Sequence, residues 1–105
     1  MLFYYRIDKT IAVGGPWFRS VVDRAPTGIL LKSSKAFPPY HPTTKMCLRL
    51  MLQDLKQRRC QDLVDVGCGS GILALAGLKL GVKRAVAVDL DPRAISTSRA
   101  NAELN

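Results

Sequence analysis

Leu63-Val64-Asp65-Val66-Gly67-Cys68-Gly69-Ser70-Gly71-Ile72-Leu73-Ala74 decides the fold of this chain. A β-branched apolar run is stopped by three glycines at every second position. A helical stretch that is apolar almost all round follows, Ile72 to Leu80, and Gly81 closes it as a C-terminal cap. A glycine-rich turn between strand and helix lets the backbone come close to a ligand, while the helix N-terminus beyond it offers unpaired N–H groups and a partial positive charge. The stretch predicts a turn that binds something anionic or polar.

Downstream, a second apolar run, Ala85-Val86-Ala87-Val88, ends in Asp89; Asp91 then caps a helix whose first residue is Pro92 and which runs towards Asn105. Upstream, Cys47, Leu48, Met51, Leu52 and Leu55 recur with helical spacing after His41-Pro42-Thr43-Thr44, where a Thr can act as cap, so an amphipathic helix of about three turns is expected. The order is helix, strand, glycine turn, helix, strand, helix. Uninterrupted apolar strands alternating with helices indicate a parallel sheet in a doubly wound α/β architecture. Residues 1–40 read as an irregular, extended lead-in without a core of its own: Ile11-Ala12-Val13 stops at Gly14-Gly15-Pro16, and Gly28-Ile29-Leu30-Leu31 gives way to Lys32-Ser33-Ser34-Lys35.

Two ligand classes use a turn of this kind. Dinucleotides go with Gly-x-Gly-x-x-Gly, and S-adenosylmethionine with an acidic residue followed by Gly-x-Gly-x-Gly. With Asp65 ahead of Gly67, Gly69 and Gly71, the spacing here fits the second. Asp89, 22 residues after Gly67, stands at a strand end where a carboxylate can accept hydrogen bonds from both hydroxyls of a ribose, which is common to both classes. Asp91 reads as a helix cap and Cys68 as a small residue filling the turn.

Composition narrows the alternatives. A chain of 105 residues holds at most one small domain, and no apolar run approaches the roughly 20 residues that span a bilayer. The opening Met1-Leu2-Phe3-Tyr4-Tyr5 is broken by Arg6, Asp8 and Lys9 and lacks the form of a secretory signal, so a cytoplasmic location is expected. Three cysteines without a Cys-x-x-Cys pair, and His41 as the single histidine, suggest neither a disulfide framework nor a metal site nor a histidine triad. The net charge of +8 lies wholly in residues 1–60, with eleven Lys/Arg against three acids; residues 61–105 hold five of each. This excess is compatible with RNA contact through the basic half, and equally with a solvated surface that has no specific partner.

Taken together, Ala36-Phe37, His41-Pro42-Thr43-Thr44, Cys47-Leu48, the Asp65 to Ala74 stretch, Lys79-Leu80-Gly81, Val88-Asp89-Leu90-Asp91-Pro92 and Asn101-Ala102-Glu103-Leu104-Asn105 resemble the PrmA-type class I methyltransferases. Members methylate lysines and an N-terminal amine on a protein of the large ribosomal subunit. The resemblance covers residues 36–105 closely and reaches more weakly upstream to Ile11-Ala12-Val13 and Trp17. It implies a Rossmann-like fold, present here as a partial parallel sheet with flanking helices over residues 41–105, the N-terminal half of the catalytic core. It also implies S-adenosylmethionine as cofactor and a ribosomal protein as substrate. By the same resemblance Thr44, Gly67 and Asp89 touch the cofactor, Asp65, Gly69 and Gly71 shape its pocket, and His41 helps form a loop over it. No residue is nominated as catalytic.

The chain departs from the family pattern in two places. Phe37 would be followed by Gly-Thr-Gly and one further residue before the histidine; Pro38-Pro39-Tyr40 stand there instead, one residue fewer and stiffer. These three are similar to the Asn/Asp-Pro-Pro-Tyr tetrad of amine methyltransferases, but Phe37 occupies the place of the required acceptor. Family members also continue past the position of Asn105 and carry a substrate-recognition domain ahead of the core, so the chain reads as a fragment or truncated product. The rival expectation is a non-catalytic, degenerate cofactor-binding fragment with a basic N-terminal half.

Overall fold

A computed structural model describes residues 2–32 and 34–105. Met1 of the opening apolar run and Ser33 of the 32–35 loop lie outside the described residues. Strands β1 (Tyr4–Ile7) and β2 (Ile11–Gly14) form an antiparallel hairpin, with Ile7 opposite Ile11. Asp8 makes the reversal at φ 44°, and its Oδ1 accepts from the Thr10 N–H at 2.7 Å. A 3-10 turn (Pro16–Phe18) and the short helix α1 (Arg19–Val22) carry the chain over to β3 (Thr27–Leu30), which pairs parallel with β2. Residues read as extended pieces and loops thus build a three-stranded sheet. Strands of four residues are too short for alternation to declare itself in sequence.

The second part follows the expected order: α2 (Pro42–Gln57), β4 (Asp62–Val66), α3 (Ile72–Lys79), β5 (Arg84–Val88) and α4 (Pro92–Leu104), with β4 and β5 parallel. Helix α2 is longer than its apolar spacing suggests, and its cap is not a threonine. It starts at Pro42, which has no N–H to satisfy, and the Nδ1 of His41 accepts from the Thr43 N–H at 3.1 Å. The cap of α4 is as expected: Asp91 accepts from the Arg93 N–H at 2.9 Å, with Pro92 at the first position.

One cluster of buried side chains joins the first sheet to helices α2 and α3. Ile7, Ile11, Val13, Ile29 and Leu31 from the first 40 residues pack with Leu48 and Leu52 of α2 and Ile72, Leu75 and Ala76 of α3. The division at residue 40 therefore separates the sheets in sequence but does not divide the core. Helices cover only one face of the β4–β5 pair: Leu63 lies against Gly77 of α3, and Ala85 and Ala87 face Leu75, Leu78 and Ile95 across a groove. On the other face Val64, Val66, Val86 and Val88 are 65, 79, 57 and 42% exposed.

Candidate functional site

The glycine turn leaves β4 with three left-handed residues, Gly67 (φ 77°), Gly69 (φ 53°) and Gly71 (φ 85°). A side chain at any of the three would be strained, and a Cβ on Gly71 would also lie 2.9 Å from the Ser98 Oγ. The alternation brings the turn back on the end of β5. The N–H groups of Gly67 and Cys68 both donate to the Val88 carbonyl, at 2.8 and 3.0 Å, and the Gly71 N–H donates to the Cys68 carbonyl at 2.8 Å.

Asp89 is locked into the same construction. Its Oδ2 accepts from the Gly69 N–H at 3.0 Å and its Oδ1 from the Asp91 N–H at 2.9 Å. These bonds, that of Asp91 foremost, hold the carboxyl below its ordinary range, so Asp89 is anionic at neutral pH. Each carboxylate oxygen has a second lone pair, which leaves acceptor capacity for hydroxyl donors.

Asp65 sits on the other side of the turn and differs in character. It is buried, and its Oδ2 has no hydrogen-bond partner among the described residues. Burial raises its pKa; the amide of Ala74, in the first turn of α3, acts in the opposite direction, and the nearby Asp89 charge raises it further. A carboxylate here stands where the N-terminus of α3 would otherwise attract an external anion.

Thr44, Asp65, Gly67 and Gly69 line one cavity of about 130 Å³, together with Phe37, Pro38 and Ser70. A second, more apolar cavity of about 380 Å³ opens on the other side of Gly67, between Val66, Val88, Asp89 and Leu90. Five of the six residues singled out from sequence thus meet around Gly67. Gly71 lines neither of these cavities; it starts α3 and abuts Ser98. His41 is an exposed helix cap.

The 37–40 loop is fixed rather than floating. Phe37 stands over Gly69, with the Arg93 guanidinium 5.9 Å from its ring centre; Pro39 is buried, and its carbonyl accepts from the Tyr5 hydroxyl at 2.6 Å. Sequence reading missed Tyr5, Ser98 and Asn101. The Ser98 Oγ donates to the Gly69 carbonyl at 3.0 Å, and the buried Asn101 Nδ2 donates to the Ser70 carbonyl at 2.8 Å. Asn101 stood in the Asn101 to Asn105 stretch that carries the resemblance, without a role assigned to it, and its three-residue spacing from Ser98 on one helix was the remaining signal.

Residues 5–105 match the family model described as ribosomal protein L11 methyltransferase (PrmA). A ribosomal protein L11 methyltransferase of Pasteurella multocida is 47% identical over 101 residues, which are 95% of this chain and 33% of that protein. One from Haemophilus influenzae is 49% identical over 92 residues, 86% of this chain and 30% of that protein. The crystal structure of a ribosomal protein L11 methylase from Lactobacillus delbrueckii subsp. bulgaricus superposes with a TM-score of 0.74 at 25% identity, over 97% of this chain and 50% of that one. The chain spans about a third of the length of the curated relatives it matches.

Proposed function

Because the chain belongs to the ribosomal protein L11 methyltransferase family, we propose that it carries the S-adenosylmethionine-binding part of an enzyme that methylates amines of a ribosomal protein. The observation that carries the reading is the pairing of two carboxylates across Gly67: Asp65, buried with an unpartnered oxygen, and Asp89, anionic at the strand end. S-adenosylmethionine has a cationic amino-acid end, a ribose diol and an adenine. Asp65 suits the ammonium, Asp89 the diol, and the apolar walls of Val88 and Leu90 the base, with Thr44 and Gly67 as further contacts and Gly69 and Gly71 shaping the turn. The bound cofactor supplies an electrophilic methyl group. The chain's own residues bind and orient it.

A dinucleotide fits poorly, because its pyrophosphate would meet the Asp65 carboxylate at the head of α3. A ribosomal acceptor implies a cytoplasmic site of action, and among the described residues no helix is long and apolar enough to cross a membrane. RNA contact through the basic first half rests on charge alone. The second reading, a cofactor-binding chain without catalysis, draws support from the exposed walls Val66, Val88 and Leu90, which leave the site open on one side. Calorimetric titration of the chain with S-adenosylhomocysteine and with NADH tests the proposal. Binding of the first alone supports it, and binding of NADH or of neither overturns it. Transfer of labelled methyl to ribosomal protein L11 then separates the catalytic reading from the binding-only one.

A further inference from the structure

Glycine gives the turn its shape and also leaves it loose, since the peptide between Gly69 and Ser70 can rotate at little steric cost on its glycine side. Something else has to fix its orientation. One face of α4 does this, with Ser98 and Asn101 at helical spacing and Asn105 following at the C-cap. Ser98 takes the Gly69 carbonyl and Asn101 takes the next one, that of Ser70. In a planar trans peptide the C=O and the following N–H point in opposite directions. Holding the Gly69 carbonyl on α4 therefore turns the Ser70 N–H away from α4.

Asn101 is fully buried and is engaged on both sides, since its Oδ1 also accepts from the Lys32 N–H at 2.9 Å. Among the described residues the neighbouring Asn105 hydrogen-bonds away from the turn and serves as an internal contrast: its side chain accepts from the Leu30 N–H at 3.0 Å and donates to the Leu30 and Asn101 carbonyls, both at 2.7 Å. The same helix face thus holds the turn at one end and the first sheet at the other.

We propose that Ser98 and Asn101 are positioning residues for the cofactor turn, gripping two successive carbonyls so that the turn is preorganised for its ligand. This rests on the cofactor-binding reading above. Ser98→Ala is the sharpest variant, because among the described residues the hydroxyl hydrogen-bonds only within the turn, to the Gly69 carbonyl and with the Cys68 Sγ at 3.4 Å. S-adenosylhomocysteine affinity should fall roughly threefold to tenfold in Ser98→Ala, the scale of one hydrogen bond. The amide resonances of Gly69 and Ser70 should shift in the unliganded variant. Asn105→Ala should lower the Tm at least as much, yet leave affinity within about twofold and those two resonances in place. Equal affinity in Ser98→Ala and wild type, or equal losses of affinity in Ser98→Ala and Asn105→Ala, overturns the positioning role while the cofactor reading stands. Wild-type chain that binds no S-adenosylhomocysteine overturns both.

Discussion

Folding takes the Asp65 carboxylate out of water and leaves its Oδ2 without a partner, an arrangement that costs about 1–3 kcal/mol for an ordinary buried acceptor. The Ala74 amide at the head of α3 engages the Asp65 carboxyl, but that contact leaves Oδ2 unused among the described residues. A cationic ligand group would supply the missing partner, so stability and binding make opposite demands on this residue. The sign with pH follows. Burial raises the native pKa of Asp65 above its unfolded value, so the native state holds the proton more tightly. That contribution to stability is present below the ordinary carboxylate range and is lost as pH rises through the native pKa. Urea unfolding of wild type and Asp65→Asn between pH 4 and 7 should show the variant gaining on the wild type as pH rises. The same variant should bind S-adenosylhomocysteine about tenfold or more weakly, the scale of a charge-assisted hydrogen bond. Parallel stability curves across the range would falsify this role for burial.

Among the elements, packing makes demands that propensity does not announce. Gly28 lies within β3, and a Cβ built on it falls 2.2 Å from the Val22 carbonyl and 2.9 Å from the Val22 carbonyl carbon. Backbone cannot yield as the end of a side chain can, so Gly28→Ala must part α1 from β3. A loss of about 2–3 kcal/mol is expected, at the upper end of overpacking costs, and a shift of the urea midpoint of under a few tenths of a molar would contradict it. The same contrast explains what was legible in sequence. The glycine turn, Asp89 and the Asp91 cap were readable because each carries a residue signature at a fixed offset in the chain, even though the turn and Asp89 meet across about 20 residues. Ser98 and Asn101 were not, because their partners, Gly69, Ser70 and Lys32, lie 29, 31 and 69 positions away and are backbone groups that carry no residue signature. The His41 cap escaped because threonine is the commoner capping residue and two threonines stood nearby. The first sheet escaped because its strands are four residues long.

Across the whole molecule the feature that organises the rest is the bare face of β4 and β5. Val64, Val66, Val86 and Val88 line it, and Leu90 stands fully exposed beyond the strand end. Alternation places the site's own anchors in the same two strands: Asp65 looks towards the helices, while Val66 and Val88 look the other way and also wall the cavity that holds Asp89. The ligand site and the apolar face are therefore continuous. A contiguous apolar patch with two short parallel strands beneath it favours association. In sedimentation velocity the wild-type chain should self-associate with rising concentration. A variant carrying Val64→Thr, Val66→Thr and Val86→Thr keeps the β-branched shape and should remain monomeric over the same range. Because all three side chains are exposed, each change should alter folding stability by no more than about 0.5 kcal/mol, so a change in association can be read apart from a change in folding. A wild type that stays monomeric, or a variant that associates as strongly, would remove the face as the source of association. Saturating S-adenosylhomocysteine should weaken association of the wild type as well, since a ligand between Val66, Val88 and Leu90 covers part of the surface that a second copy would otherwise bury.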